Sequence, residues 1–211
     1  DQRGKEALEA ISKAHSVLTA DLSNLEETKL LAEKVNQLGS FDAIIHNAGV
    51  YHASGDLIVK VNTLAPYILT CLIKPPKRLV YMSSSMHTGG QPRLGQLASD
   101  FSKISYSDSK LHDLILAKAV ARLWPDVYSN AVDPGWVPTK MGGARAPDSL
   151  QKGHETQAWL AVSDDLEATV SGHYFYHQKT QAYQNVADDI NVQEEFLKTC
   201  EQLTRVTFPK E

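Results

Sequence analysis

Three short apolar runs set the fold class. Phe41-Asp42-Ala43-Ile44-Ile45-His46, Arg78-Leu79-Val80-Tyr81-Met82 and Val127–Val132 all have strand length, and each runs into small or polar residues: Asn47-Ala48-Gly49, Ser83-Ser84-Ser85 and Asp133-Pro134-Gly135. Nearly continuous apolar strands are the kind buried on both faces of a parallel sheet. Helix-length stretches separate them. Residues 3–14 carry Ala7, Leu8 and Ile11 at helical spacing, and Ser23-Asn24-Leu25-Glu26 is a capping box that opens a helix running to Gly39. Residues 57–73 are apolar and helical in length, and Pro66 inside them predicts a kink. Ser16-Val17-Leu18-Thr19-Ala20 reads as a further strand ending at Asp21, and His173–His177 as a last one before a helix over 189–204. Strands alternating with helices predict an α/β fold, a doubly wound parallel sheet with helices on both faces. In such sheets ligands sit at the carboxyl ends of the strands. The polar turns at those ends therefore converge on one rim.

Tyr106-Ser107-Asp108-Ser109-Lys110 opens the next helix, which ends at Pro125. A tyrosine and a lysine four apart project from the same side of a helix. A phenol ionises near pH ~10. A nearby ammonium favours the phenolate and so predicts a lowered pKa, which would let Tyr106 act as a general acid or base near neutrality.

Composition adds exclusions. The 211 residues suit one domain, 1–211, with two loop-like stretches at about 87–104 and 140–153 that would shape a substrate pocket. Net charge is −4, which recommends neither nucleic acid nor an anionic membrane as partner. No apolar run approaches the roughly 20 residues needed to span a bilayer, and no signal peptide opens the chain. Cys71 and Cys200 have no metal or redox spacing, so a reducing, cytoplasmic setting is expected. His173 and His177 would face one side of their strand, but without a third ligand no metal is expected. Trp124, Trp136 and Trp159 read as core or pocket wall.

Five motifs in order resemble the short-chain dehydrogenase/reductase family. His46-Asn47-Ala48-Gly49 resembles its N-A-G motif, Val61-Asn62 its active-site asparagine, and Leu79–Ser85 the strand that delivers its catalytic serine. Tyr106 and Lys110 match Y-x-x-x-K, and Pro134-Gly135 with Thr139 matches its P-G motif. Asp133-Pro134-Gly135-Trp136-Val137 and the long serine-to-tyrosine spacing are most similar to the subgroup of retinol dehydrogenases. The resemblance implies a Rossmann-like domain and an NAD(P)-dependent oxidoreductase that interconverts a hydrophobic carbonyl compound and an alcohol. Catalytic roles fall to Asn62, which would support a water relay to Lys110, and to Ser84, Tyr106 and Lys110, with Ser83 and Ser85 as alternates for Ser84. Cofactor contacts fall to Asp21 and Leu22 at the adenine, Asn47, Ala48 and Gly49 along the cofactor, Pro134, Gly135, Val137 and Thr139 at the nicotinamide, and Tyr106 and Lys110. NADP rather than NAD is the cofactor expected from the subgroup. Pairing of the helices at 57–73 and 107–123 into a homodimer or homotetramer is expected as well.

The departure is at the start. The chain holds no G-x-x-x-G-x-G turn. The family's first strand–helix–strand unit, roughly 30 to 40 residues, is expected to stand outside it, leaving strand 41–46 with an unpaired edge. This departure keeps a second reading open: a nucleotide-binding or interaction protein of the same fold with impaired chemistry.

Overall fold

The computed structural model describes residues 2–11 and 13–209. Helix α1 (Gln2–Ala10) and helix α2 (Leu25–Gln37) lead to strand β1 (Ala43–His46). The next helical stretch has three parts: α3 (Gly55–Ile58), a π-helical turn (Val59–Leu64) and α4 (Ala65–Leu72). Strand β2 (Arg78–Met82), helix α5 (Leu94–Ser99), helix α6 (Tyr106–Leu123) and strand β3 (Tyr128–Asp133) follow. Helix α7 (Lys152–Val162), strands β4 (Tyr174–Tyr176) and β5 (Lys179–Thr180) and helix α8 (Ile190–Thr204) complete the order.

The sheet runs β1-β2-β3-β4-β5. Its first four strands are parallel and β5 is antiparallel to β4. β2 shows why the fold is doubly wound. Side chains alternate across a strand, and every residue of β2 is buried. Leu79 and Tyr81 join the large core with Leu64, Ile68, Leu111, Ile115 and Phe196, on the side of α4, α6 and α8. Val80 and Met82 join the smaller core with Val132, Phe175 and Leu160 of α7. Arg78 fixes α7 to the sheet end. Its buried guanidinium donates to the carbonyls of Leu160 at 3.1 Å and Ser163 at 2.6 Å, satisfying the helix C-terminus.

Several expectations are corrected. Segment 16–20 is not a strand. A strand needs a hydrogen-bonded neighbour, and among the described residues the sheet ends at β1. Val17 and Thr19 lie instead against α1, with methyl carbons 3.0 Å from where a Cβ on Gly4 would stand. α1 ends at Ala10 rather than 14; position 12 of that expected helix lies outside the described residues. The cap of α2 is Asn24, not Ser23: its side chain accepts from Glu26 and Glu27 N–H, while the Ser23 hydroxyl donates to Asp21. The stretch 87–104 is not loop alone. Leu94, Leu97 and Ile104 are buried, and their spacing builds α5 and a 3-10 turn (Phe101–Lys103). β4 excludes both histidines; His177 and Gln178 form its hairpin turn to β5, both in left-handed conformation without glycine.

Pro66 breaks its helix as the sequence predicts. It stands in the first turn of α4, directly after the π-helical turn. Lacking N–H, it gives nothing to the carbonyl of Asn62 four residues back, and Ala65 N–H reaches five residues back to Lys60. π-Turns inside helices often mark functional sites, and this one holds Asn62.

α8 and the segment after it pack over α4 and α6. The Tyr67 hydroxyl donates to Val206 O at 2.8 Å, Trp124 Nε1 donates to Pro209 O at 3.0 Å, and Phe208 stacks on Trp124. The segment after α8 thus covers part of α4 and the end of α6.

Candidate active site

The polar turns meet at the carboxyl rim of the sheet, as their positions predict. The parallel register of β1, β2 and β3 brings Asn47, Ser83 and Asp133 into neighbouring places. α6 starts beside them. Its cap is a reciprocal box: the Ser105 hydroxyl receives Asp108 N–H, and the Asp108 carboxylate receives Ser105 N–H. That carboxylate is buried and also accepts from the Ser105 hydroxyl at 2.7 Å, Gln91 N–H at 2.7 Å and Arg93 Nε at 3.1 Å. One side chain thus fixes the start of the Tyr106 helix and the loop at 91–93. Asp108→Ala leaves Gln91 N–H without that acceptor and removes half the cap. The expected cost is about 2 to 3 kcal/mol in urea unfolding, with proteolysis opening first at 90–93.

Tyr106 is the first residue of α6. Its ring meets Tyr51 edge-on, with centroids 4.6 Å apart, and its phenol faces the Ser84 side chain. The serine run therefore separates. The Ser83 hydroxyl donates to Lys110 O at 2.7 Å, and Ser85 N–H donates to Asp133. Ser84 is the one of the three that acts on the Tyr106 phenol.

Lys110 is buried. Its Nζ lies 5.5 Å from the centre of the Tyr106 ring and donates to Met82 O at 2.7 Å and to Asp113 Oδ2 at 2.8 Å. The expected lowering of the Tyr106 pKa is not what the isolated protein shows. Burial pushes the phenol up first, and the Asp113 and Asp133 carboxylates and Tyr51 push it the same way. The Ser84 hydrogen bond pulls it down. The physical reason is burial first and the carboxylates second, the lysine charge being paired with Asp113. Asp113 is itself pushed up to about 6 by burial, against the pull of Lys110.

Asn62 lies beneath the turn after β1. Its amide accepts from Val50 N–H at 2.8 Å and donates to Val50 O at 2.9 Å and the Ser109 hydroxyl at 3.0 Å. It locks the Asn47–Gly49 turn to α6. Gly49 leaves the space before Lys110 open; a Cβ there would stand 3.7 Å from Nζ. Leu22 joins His46, Ala48, Val61 and Pro66 around a cleft of about 130 Å³ beside β1. Asp21 is exposed, and the Ser23 hydroxyl and N–H hold its carboxyl below the usual range.

On the far side of the rim, the Asp133 carboxylate accepts from Ser85 N–H at 3.0 Å and Gly135 N–H at 2.9 Å. It joins the serine turn to the Pro134-Gly135 turn. Gly135 has φ +81°, and a Cβ there would come within 2.6 Å of Asp148 Oδ2. Val137 and Thr139 follow in a loop closed on itself, Trp136 N–H donating to Asp148 and Trp136 Nε1 to Gly142 O. The Trp136 ring is 59% exposed, a wall rather than core.

The structure thus brings Asn62, Ser84, Tyr106 and Lys110 into one linked cluster, with Asn47–Gly49 and Pro134–Gly135 on the same rim. Sequence reading placed Asp133 on the rim through its turn but missed Asp113 and Tyr51 as members of this site. A signal existed for Asp113, which is seven residues from Tyr106 and three from Lys110 on one helix face. Among the described residues no helix is long and apolar enough to cross a membrane, and none of their histidines, cysteines and carboxylates group as a metal centre.

No known family model matches the chain. Individual relatives do. The chain is 41% identical over 220 residues to an uncharacterized oxidoreductase of Emericella nidulans, covering 98% of this chain and 85% of that protein. It is 36% identical over 225 residues to a short-chain dehydrogenase of Gibberella zeae, covering 99% and 86%. Among solved structures, an uncharacterized protein of Mycobacterium paratuberculosis matches with TM-score 0.75 and 24% identity, over 99% of this chain and 83% of that one. The NADPH-bound carbonyl reductase from chicken fatty liver matches with TM-score 0.64 and 20% identity, over 87% and 84%.

Proposed function

Because the chain belongs to the short-chain dehydrogenase/reductase family, we propose that it interconverts a hydrophobic ketone or aldehyde and the corresponding alcohol with NADP(H) as cofactor. The observation that carries this reading is the cluster itself: a Tyr106 phenol facing Ser84, with a buried lysine one turn on, at the carboxyl rim of a parallel sheet. NADP is favoured by the names of two similar proteins, a carbonyl reductase [NADPH] of Sus scrofa and the NADPH-bound enzyme of chicken liver.

The residues present fit the nicotinamide-ribose half of such a cofactor. Gly49 keeps clear the space in front of Lys110 Nζ, and an ammonium and a phenol border that space, both able to bond ribose hydroxyls. Lys110, Tyr106, Asn47, Ala48 and Gly49 would hold that half. Pro134, Gly135, Val137 and Thr139 would hold the carboxamide and diphosphate end, and Asp21 and Leu22 the adenine. When bound, the nicotinamide supplies or accepts the hydride. Ser84 orients the substrate oxygen and polarises it. Tyr106 gives that oxygen a proton in reduction and takes it back in oxidation. Asn62 keeps the turn on α6; its amide is fully engaged, so a relay to Lys110 would start at its main-chain carbonyl. Tyr51 supplies aromatic surface against the Tyr106 ring, which favours apolar substrates.

The test is binding and turnover measured together. NADPH fluorescence should rise on titration with the protein, at a Kd below that for NADH, and NADPH should be consumed with aromatic or long-chain ketones and aldehydes. Binding without turnover across such a panel would favour the impaired nucleotide-binding reading. Absence of binding to either nucleotide would overturn both.

A further inference from the structure

We propose that Asp113 is the positioning residue of this site: it holds the Lys110 ammonium at the foot of the cluster and offsets its charge, so that the Tyr106 phenol is set to give a proton to a carbonyl oxygen rather than to take one from an alcohol. The chemistry rests on the oxidoreductase reading above; the direction rests on geometry.

Tyr106, Lys110 and Asp113 share one face of α6. The Lys110–Asp113 pair is buried on both sides, with side chains 6% and 4% exposed and Nζ 2.8 Å from Oδ2. Two of the three ammonium donors are spent downward, on Asp113 and on Met82 O. Met82 O and the sheet rim already give Lys110 a place, so a second, charged partner is more than its anchoring needs. A buried ion pair is also weak support for stability, since desolvation costs about what the attraction gains. What the carboxylate changes is the charge seen by the phenol. Facing Tyr106 are Asp113 and Lys110 from α6, Asp133 from the end of β3, and the uncharged Ser84 and Tyr51. Facing Asp113 are Lys110 and Tyr106 from its own helix and Tyr81 from β2. Two carboxylates outweigh one ammonium, and a like charge disfavours the phenolate.

The reaction so favoured balances as follows. The carbonyl carbon gains a hydride from the reduced nicotinamide, the C=O π bond breaks, and the oxygen takes the phenol proton. The Tyr106 phenolate then recovers a proton from water.

The experiment places difluorotyrosine at position 106, whose fluorines draw the phenol midpoint into the range where the protein is folded, and follows the fluorine resonance against pH with no cofactor present. Asp113→Asn is expected to lower the midpoint by about one unit, tenfold more phenolate at a given pH, and Asp113→Glu to keep it near the parent value. The double variant Lys110→Met/Asp113→Leu removes both charges at once and avoids a lone buried ammonium; its midpoint is expected within about half a unit of the parent. An unmoved midpoint in Asp113→Asn, or a shift of a full unit in the double variant, would overturn the proposal. In turnover, Asp113→Asn should bring the alkaline fall of kcat/KM for reduction down by the same unit. Absence of turnover in the parent protein overturns the oxidoreductase reading, and the catalytic half of this proposal with it, whatever the resonance shows.

Discussion

Tyr106→Phe is expected to lower carbonyl reduction by about 10² to 10⁴-fold while leaving the protein folded. The substitution removes one oxygen and keeps the ring. The ring is what packs: it meets Tyr51 edge-on at 4.6 Å and flanks the Lys110 ammonium. The hydroxyl faces Ser84, whose oxygen accepts from Met86 N–H at 3.2 Å. Stability should therefore change by no more than about 1 kcal/mol, the usual net worth of one hydrogen bond. Nucleotide affinity should change little, because Lys110 and the turn at Asn47–Gly49 remain. The loss should lie in kcat with KM nearly constant, the pattern of an interaction made in the transition state. Steady-state kinetics, a urea melt and a nucleotide titration check the three parts. Near-parent turnover in Tyr106→Phe would remove Tyr106 from the chemistry.

The second large effect is on stability at acid pH, through His46. This histidine ends β1, is buried, stacks on Tyr81 with ring centres 4.8 Å apart and meets the Thr70 hydroxyl at 3.3 Å. Burial pushes its pKa down from 6.5 to about 4. The unfolded chain therefore binds a proton below pH 6.5 that the folded chain refuses until about pH 4. Stability falls as pH drops through that window. A shift of that size corresponds to roughly 3 kcal/mol. Burial also lowers His87 and His112, and both act in the same direction. Asp113 acts in the opposite sense. Its folded pKa of about 6 lies above the ordinary value of 3.8, so the pair costs stability above that window and the cost is relieved as pH falls. His46→Gln is expected to be less stable than the parent at pH 7.5, having lost the stack on Tyr81. That gap should close as pH falls toward 4, by roughly 3 kcal/mol in all. Urea unfolding at half-unit steps of pH reads the effect, and a gap that stays constant with pH would show that His46 is not the group concerned.

The division between what composition could say and what packing decided is clearest at Asp113 and Arg78. Neither stands in a motif, and each became informative only when its partner was located: Lys110 one turn back, and the end of α7 more than 80 residues on.

The sequence by itself determined the alternation of strands and helices, the rim where the polar turns gather, and the placing of Tyr106 and Lys110 on one helix face. Those features are local. They follow from period-two and period-3.6 patterning and from fixed spacing along single elements. Tertiary structure alone decided which serine faces the phenol, where the lysine spends its charge, and that segment 16–20 is not a strand. Those outcomes depend on neighbours far away in the chain. A strand exists only with a ladder partner, and a pKa is set by whichever charges packing brings near.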